Sequence, residues 1–167
     1  MSNREGARTR VDADLLITPS LLDRLIDDDP AADADPPPPR GRAAYKKFEA
    51  SVARDLEALL NSRRIPDPSA EDFQEVSTSV YYYGLPDISS LSLSSSSDRA
   101  RLLRMMELTI ARLEPRLKDV RVTLEAQPGY VRVLRFRIEG LLDMDPAPEV
   151  VSFDTELQIT SGQYEVK

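Results

Sequence analysis

Three runs in the C-terminal third alternate apolar and polar residues, and this period of two limits the possible folds more than any other feature. Val120, Val122, Leu124 and Ala126 alternate with Arg121, Thr123 and Glu125. Leu134, Phe136 and Ile138 alternate with Arg135, Arg137 and Glu139. Val151, Phe153, Thr155, Leu157 and Ile159 alternate with Ser152, Asp154, Glu156 and Gln158. Successive side chains of a strand point to opposite faces, so each run predicts a half-buried strand. Gln127-Pro128-Gly129 and Asp145-Pro146-Ala147-Pro148 are turn sequences, and Ser161-Gly162 leads to a short last strand at Tyr164 to Val166. Connections this short join antiparallel neighbours. The expectation is an α+β fold: an antiparallel or mixed sheet of three to four strands, polar on one face, with two main helices packed on the other.

Those helices are legible upstream. Tyr45, Phe48, Val52, Leu56, Leu59 and Leu60 form one apolar stripe, which predicts an amphipathic helix over about 43–62. It should stop near Arg64, because Ile65-Pro66 disfavours another turn. Leu103, Met106, Ile110 and Leu113, widened by Leu102 and Met105, predict a second helix over about 98–114 with Ser97-Asp98 as its N-cap. Pro115 ends that helix at Glu114. Between the two helices, Val76, Val80 and Tyr81 to Tyr83 suit a short helix or an irregular packed segment. Gly84-Leu85-Pro86-Asp87 reads as a turn, and Ser89 to Ser97 as a flexible Ser-rich loop.

The first 42 residues have a different character. Residues 1–14 are polar. Ser20 or Thr18 can cap a short helix that carries Leu21, Leu22, Leu25 and Ile26. Residues 27–42, with five Asp and the run Pro36 to Pro39, have no apolar period and read as an extended linker. The predicted division is a flexible N-terminal arm over 1–42 and a folded domain over 43–167. The arm is either a docking peptide or a loop-like extension.

Composition removes several classes of function. The 167-residue chain has no Cys and no His, so thiolate and imidazole metal sites, disulfides and Ser-His or Cys-His nucleophile pairs are excluded. A net charge of -7 argues against broad nucleic-acid binding. No signal peptide is visible after Met1, and no apolar run approaches the roughly 20 residues that span a bilayer. The expectation is a cytoplasmic protein without direct membrane insertion. No phosphate loop is present, and Asp27 to Asp35 lacks the central Gly and closing Glu of a calcium loop. No cofactor and no metal is predicted.

The acidic pairs Glu107 with Glu114, and Glu139 with Asp154, are the candidates for glycosidase chemistry, which needs two carboxyls about 5–9.5 Å apart. Neither carries a motif, and no Trp is present to line a sugar site. Arg112, Glu114 and Arg116 form the most distinctive cluster, around a proline that fixes the backbone between helix and strand. It suits either a partner contact or an internal salt bridge that ties helix end to sheet. Arg121, Arg132, Arg135 and Arg137 make a local basic stripe. The stripe suits an acidic partner, or, more economically for any one Arg, cross-strand pairs with Glu125, Asp154 or Glu156.

Five segments, in order, resemble one family. Pro19-Ser20-Leu21-Leu22-Asp23-Arg24-Leu25 resembles the leader of TssE, the small baseplate subunit of bacterial type VI secretion systems. Tyr83-Gly84-Leu85-Pro86-Asp87 resembles that family's Tyr-Gly-Leu-Pro-Asp segment. Glu114-Pro115-Arg116 matches the motif that TssE shares with the lysozyme-like wedge proteins of contractile phage baseplates. Arg135-Phe136-Arg137-Ile138-Glu139-Gly140 and Phe153-Asp154-Thr155 resemble its strand motifs. The Asp/Pro linker, the run Tyr81-Tyr82-Tyr83 and the Ser-rich loop depart from the pattern.

The resemblance implies a structural, non-enzymatic role in a baseplate at the inner membrane. The implied partners are TssF, TssG and TssK, together with the sheath proteins TssB and TssC, whose strands the sheet can join by augmentation. By the same resemblance, Glu114, Pro115 and Arg116 face the sheath, and Leu21, Leu22 and Leu25 dock the arm on a baseplate neighbour. From the basic stripe, Arg135 and Arg137 are added to the candidate contact residues. Two alternatives remain. One is a peptidoglycan-cleaving lysozyme-like hydrolase, which assay of purified protein on cell wall would reveal. The other is an interaction module of a different machine, which co-purified partners would identify.

Overall fold

The computed structural model describes residues 17, 19–26, 40–65, 67, 72–92, 94–125, 133–145, 147–159 and 161–167. Most of the polar N-terminus, Thr18, the linker over 27–39, the Gln127-Pro128-Gly129 turn, Arg132 and Pro146 lie outside them. The helices are α1 (Leu21–Leu25), α2 (Gly41–Asn61), α3 (Gln74–Ser77) and α4 (Ser96–Leu113), with a 3-10 turn at Val80–Tyr82. The strands are β1 (Leu117–Leu124), β2 (Val133–Leu142), β3 (Glu149–Gln158) and β4 (Gln163–Val166). All four pair antiparallel in the order β1-β2-β3-β4, so the chain is α+β with one antiparallel sheet and two main helices. No mixed pairing occurs among these strands.

Internal contacts divide the chain into two units: residues 1–52 with 144–148, and residues 53–143 with 149–167. In the first unit, α1 is short but well capped. The Ser20 hydroxyl accepts from the Asp23 backbone N–H at 3.1 Å, while the Asp23 carboxylate accepts from the Ser20 N–H at 3.2 Å. This reciprocal capping box explains why five residues hold a helical turn. Ser20, not Thr18, is the cap. Leu21, Leu22 and Leu25 remain 71%, 51% and 73% exposed.

The second unit holds the sheet. Leu117, Val122, Phe136, Ile138, Leu142, Val151, Phe153, Leu157 and Tyr164 are buried on one face. Leu56, Leu59 and Leu60 of α2 are buried in the same unit, as are Leu102, Met106 and Ile110 of α4. The stripe of α4 is therefore centred on Leu102 rather than Leu103, which is half-buried. Residues four apart share a helix face, and packing selects the row 102, 106 and 110 over its neighbour. The same helix starts two residues before the predicted point, because the Ser95 hydroxyl, not Ser97, accepts from the Asp98 N–H. In a run of serines each hydroxyl is a chemically equivalent cap, and the tertiary position of the helix selects one.

Strand β1 contains a feature that simple alternation misses. Lys118 pairs with Leu141 and Arg121 with Glu139, so Asp119 and Val120 together stand opposite Gly140. This is a β-bulge, and Asp119 takes φ 51 within it. The extra residue lets Leu117 and Val122 face the core together although their numbers differ in parity. Gly140 allows the close approach. A Cβ there would lie 2.9 Å from the Lys118 carbonyl and from two carbons of Leu117. Strand β1 accordingly begins at Leu117, three residues before the alternating run predicted from Val120.

Two buried hydroxyls, Thr155 Oγ1 and Tyr164 Oη, have no hydrogen-bond partner among the described residues. Burial pushes the Tyr164 phenol up to about 12 from its ordinary 10.0, with Arg63 pulling weakly the other way. The fold thus keeps that proton to higher pH than the unfolded chain does. Stability is full below about pH 10 and falls as pH rises toward about 12. Tyr83, whose phenol is also raised, acts in the same direction. Tyr164→Phe should gain about 1 kcal/mol at neutral pH, because it removes an unpaired buried hydroxyl. It should also flatten the alkaline decline. Urea unfolding at neutral and alkaline pH measures both effects, and a less stable variant at neutral pH would contradict the account.

Candidate functional site

The Glu114-Pro115-Arg116 junction is built by local rules first. The Glu114 N–H donates to the Ile110 carbonyl at 2.8 Å, closing α4, and the Leu117 N–H donates to the Glu114 carbonyl at 3.2 Å. The four residues thus make a tight turn with proline at its second position, where a fixed φ is favoured. That turn brings the Arg116 side chain back onto Glu114. Arg116 Nε donates to Glu114 Oε1 at 2.7 Å and its NH2 group to Oε2 at 2.5 Å, a forked pair. The Arg116 backbone N–H also donates to Oε1 at 3.2 Å. At the other end of the turn, Asp143 N–H donates to the Arg116 carbonyl at 2.8 Å, which ties the end of β2 to the junction.

A third element completes the cluster. Asp55, in the second unit's part of α2, accepts from Arg116 NH2 at 2.6 Å through Oδ2. Its other oxygen accepts from Arg54 at 2.7 and 2.9 Å. Two arginines and two carboxylates therefore alternate as Arg54, Asp55, Arg116 and Glu114, with no net charge. Glu114 is 5% exposed. Its hydrogen bonds, above all other influences, raise the Arg116 guanidinium beyond its already high ordinary pKa. Tyr83 is half-buried nearby. Burial, followed by the Asp55 and Glu114 carboxylates, raises its phenol.

Tyr83 brings a second segment of the sequence into the same region. Gly84-Leu85-Pro86-Asp87 is more than the predicted turn. Leu85 forms a parallel bridge with Arg63, just after α2. The Leu85 N–H donates to the Ser62 carbonyl, and the Arg64 N–H donates to the Leu85 carbonyl, both at 3.0 Å. Beside it, Tyr82 is buried, with the Arg64 guanidinium 4.8 Å and the Arg112 guanidinium 6.0 Å from its ring centre. Arg112 therefore meets an aromatic ring, whereas sequence proximity had grouped it with Glu114 and Arg116.

Other predicted site residues are distributed elsewhere. Arg137 of β2 links β3 to the residue just past β1, donating to Asp154 at 3.0 Å and to Glu125 at 3.1 Å. Arg135 donates to Glu156 at 3.1 Å. Arg135 and Arg137 thus form a mixed-charge ladder on the exposed face, and Arg132 lies outside the described residues. Arg121 stands opposite Glu139 in the register. Leu21, Leu22 and Leu25 lie on α1 in the first unit and are exposed.

Three of the four carboxylates considered for hydrolysis are held in other contacts. Glu107 accepts from the Val122 N–H at 2.9 Å. It lies two helical turns from Glu114, about 10.5 Å along an axis that rises about 1.5 Å per residue. Both oxygens of Glu114 are held by Arg116. Asp154 is paired with Arg137. The junction acts chemically as a closed ionic clamp on α2, α4 and β1.

Sequence reasoning missed Asp55, Tyr83 and Arg64 as members of this region. Asp55 has one sequence signal, its place beside Leu56 on the edge of the apolar stripe. Nothing local marks it as the partner of a residue 61 positions away.

No helix among the described residues is long and apolar enough to cross a membrane. No curated protein and no solved structure matches the chain. The family model for baseplate wedge protein gp25 matches residues 46–147, which takes in most of α2, the Tyr83–Asp87 segment, the ionic junction and the first two strands. With well over half its length matched in this way, the chain belongs to the baseplate wedge protein gp25 family, structural components of the baseplates of contractile injection systems.

Proposed function

We propose that this protein is the TssE-type subunit of a type VI secretion baseplate, where it links the wedge to the contractile sheath and helps to start sheath assembly. The observation that carries the reading is the family match across the ionic junction and the first two strands. The leader and Tyr-Gly-Leu-Pro-Asp resemblances favour the secretion branch of the family. In this reading residues 43–167 are the wedge domain and residues 1–42 are the arm. TssF, TssG and TssK are the baseplate partners, TssB and TssC the sheath partners, and the assembly sits in the cytoplasm against the inner membrane.

Roles divide by geometry. The clamp of Glu114, Pro115 and Arg116 fixes the angle between α4 and β1 and so sets the sheath-facing surface. Charges in such a position fix register more than they add affinity. Arg135 and Arg137 present the exposed ladder to the same partner, exchanging their intramolecular carboxylates for those of the sheath. Leu21, Leu22 and Leu25 dock the arm on a baseplate neighbour. Their exposure fits that role, because an apolar turn this short gains little by itself. The protein has no enzymatic activity in this reading.

The arm provides the test. Leu21→Asp with Leu25→Asp should leave the unfolding midpoint unchanged, because both side chains are exposed. If each leucine anchors in a partner pocket at about 1–2 kcal/mol, co-purification of TssF and TssG should weaken by roughly 30-fold or more. Fluorescent sheaths in cells should become correspondingly rare. Normal sheaths and intact co-purification would refute the docking role. As a second arm, purified protein and its Glu114→Gln variant should be equally inert on peptidoglycan. Robust turnover lost in the variant would overturn the structural reading.

A further inference from the structure

The sheet is open, so β1 and β4 each have a free edge. An edge strand presents unpaired N–H and C=O groups that invite another strand. On β4 those groups belong to Tyr164 and Val166, and side chains of α2 hold three of the four. The Asn61 carboxamide accepts from the Tyr164 N–H at 2.8 Å and donates to the Tyr164 carbonyl at 2.8 Å. These are the two bonds that a residue on an adjoining antiparallel strand would make. One helical turn earlier, the Glu57 carboxylate accepts from the Val166 N–H at 3.1 Å. The spacings agree. Residues four apart rise about 6 Å along a helix, and residues two apart span about 6.7 Å along a strand.

The neighbouring backbone fixes this arrangement. Lys167 and Asp154 exchange N–H to carbonyl bonds of 2.8 and 3.1 Å, which hold the end of β4 on β3 and turn Val166 outward. The opposite edge has a sparser version, where Glu107 accepts from the Val122 N–H. Packing of the helices does not require these bonds. Leu56, Leu59 and Leu60 already bury the adjoining face of α2.

We propose that Asn61 and Glu57 form a surrogate strand that keeps β4 from pairing with β4 of a second copy of this chain. The second copy is the partner because the edge complements itself. With Val166 opposite Val166, the two residues exchange both backbone bonds, and each Glu165 faces a Lys167 of the other copy. Opposite charges directly across a strand pair favour that register. Occupation of the edge by α2 leaves the Tyr164 and Val166 N–H groups nothing to offer an approaching strand.

The test compares the masses of folded variants by light scattering on a sizing column. The Asn61→Ala, Glu57→Ala double variant should keep its circular dichroism and move to twice the wild-type mass at high concentration. Adding Val166→Pro removes the outward N–H, which an edge strand tolerates, and should return the mass to that of wild type. A folded double variant that keeps the wild-type mass overturns the proposal. So does association that survives Val166→Pro. If the double variant does not fold, Glu57→Ala alone is read in the same way: it frees one N–H and should dimerise more weakly, and an unchanged mass counts against the guard.

Discussion

Replacing Arg116 with alanine is expected to destabilise the domain by about 3 kcal/mol, because it leaves a buried carboxylate without its cation. Glu114 is 5% exposed, and both of its side-chain oxygens bond to Arg116. Asp55 keeps Arg54, so most of the loss falls on Glu114. The unfolding midpoint should drop by roughly 10 °C for a chain of this size. Arg116→Lys should recover part of the loss only, since an ammonium cannot make the forked pair and reach Asp55 together. The double variant Glu114→Gln, Arg116→Met should be more stable than Arg116→Ala, because removing both charges avoids the orphaned carboxylate. Thermal and urea unfolding of the three variants provide the measurement. A loss for Arg116→Ala of about 0.5 kcal/mol, the scale of an exposed ion pair, would show that the clamp is not the structural junction described.

A still larger effect is expected at Gly84. Its φ is +104, a backbone conformation that side chains rarely adopt. A Cβ there would lie 2.6 Å from the Ser62 carbonyl oxygen and 3.0 Å from the Arg63 nitrogen. These are backbone atoms and cannot rotate away. Gly84→Ala must therefore push the segment off the end of α2, losing the Leu85 and Arg64 hydrogen bonds and exposing Leu85, which is fully buried. Strain, lost bonds and lost burial together suggest about 4 kcal/mol, in the upper tail for single substitutions. The same change would shift Tyr83 relative to the Asp55 and Glu114 carboxylates that help to raise its phenol. Urea unfolding should show a much lower midpoint, and amide exchange should show early opening at Arg64 and Leu85. A loss below about 1 kcal/mol would mean that the Gly84 segment is not held on α2.

The two predictions concern segments that the sequence singled out for different reasons. Glu114-Pro115-Arg116 was legible because proline must end a helix and the flanking charges are opposite. The tight turn and the forked pair both follow from residues within three positions. Tyr83 to Asp87 was legible as a turn, because glycine and proline punctuate it. That it docks on Ser62 to Arg64 was not legible, since nothing in a turn sequence names the backbone it will meet.

Faces and elements were largely readable. Period two marked β2 and β3, and period 3.6 marked α2 and α4, because those repeats are set by backbone geometry and solvent alone. The arginines of β2 were readable as cross-strand partners for the same reason. Their carboxylates had to lie on the polar faces of the adjoining strands.

Tertiary structure alone decided the rest. The bulge at Asp119 and Val120 depends on what Leu117 must reach across Gly140, so alternation by itself starts β1 late. The choice among serines at the start of α4, and of Leu102 over Leu103 at its centre, depends on where the helix comes to lie. Asp55 joins Arg116, and Asn61 and Glu57 join β4, over separations of 61 to 109 residues. A sequence determines which residues can repeat along one element. Which side chains meet between elements depends on packing, and in this chain that decided both the ionic clamp and the closing of the sheet edge.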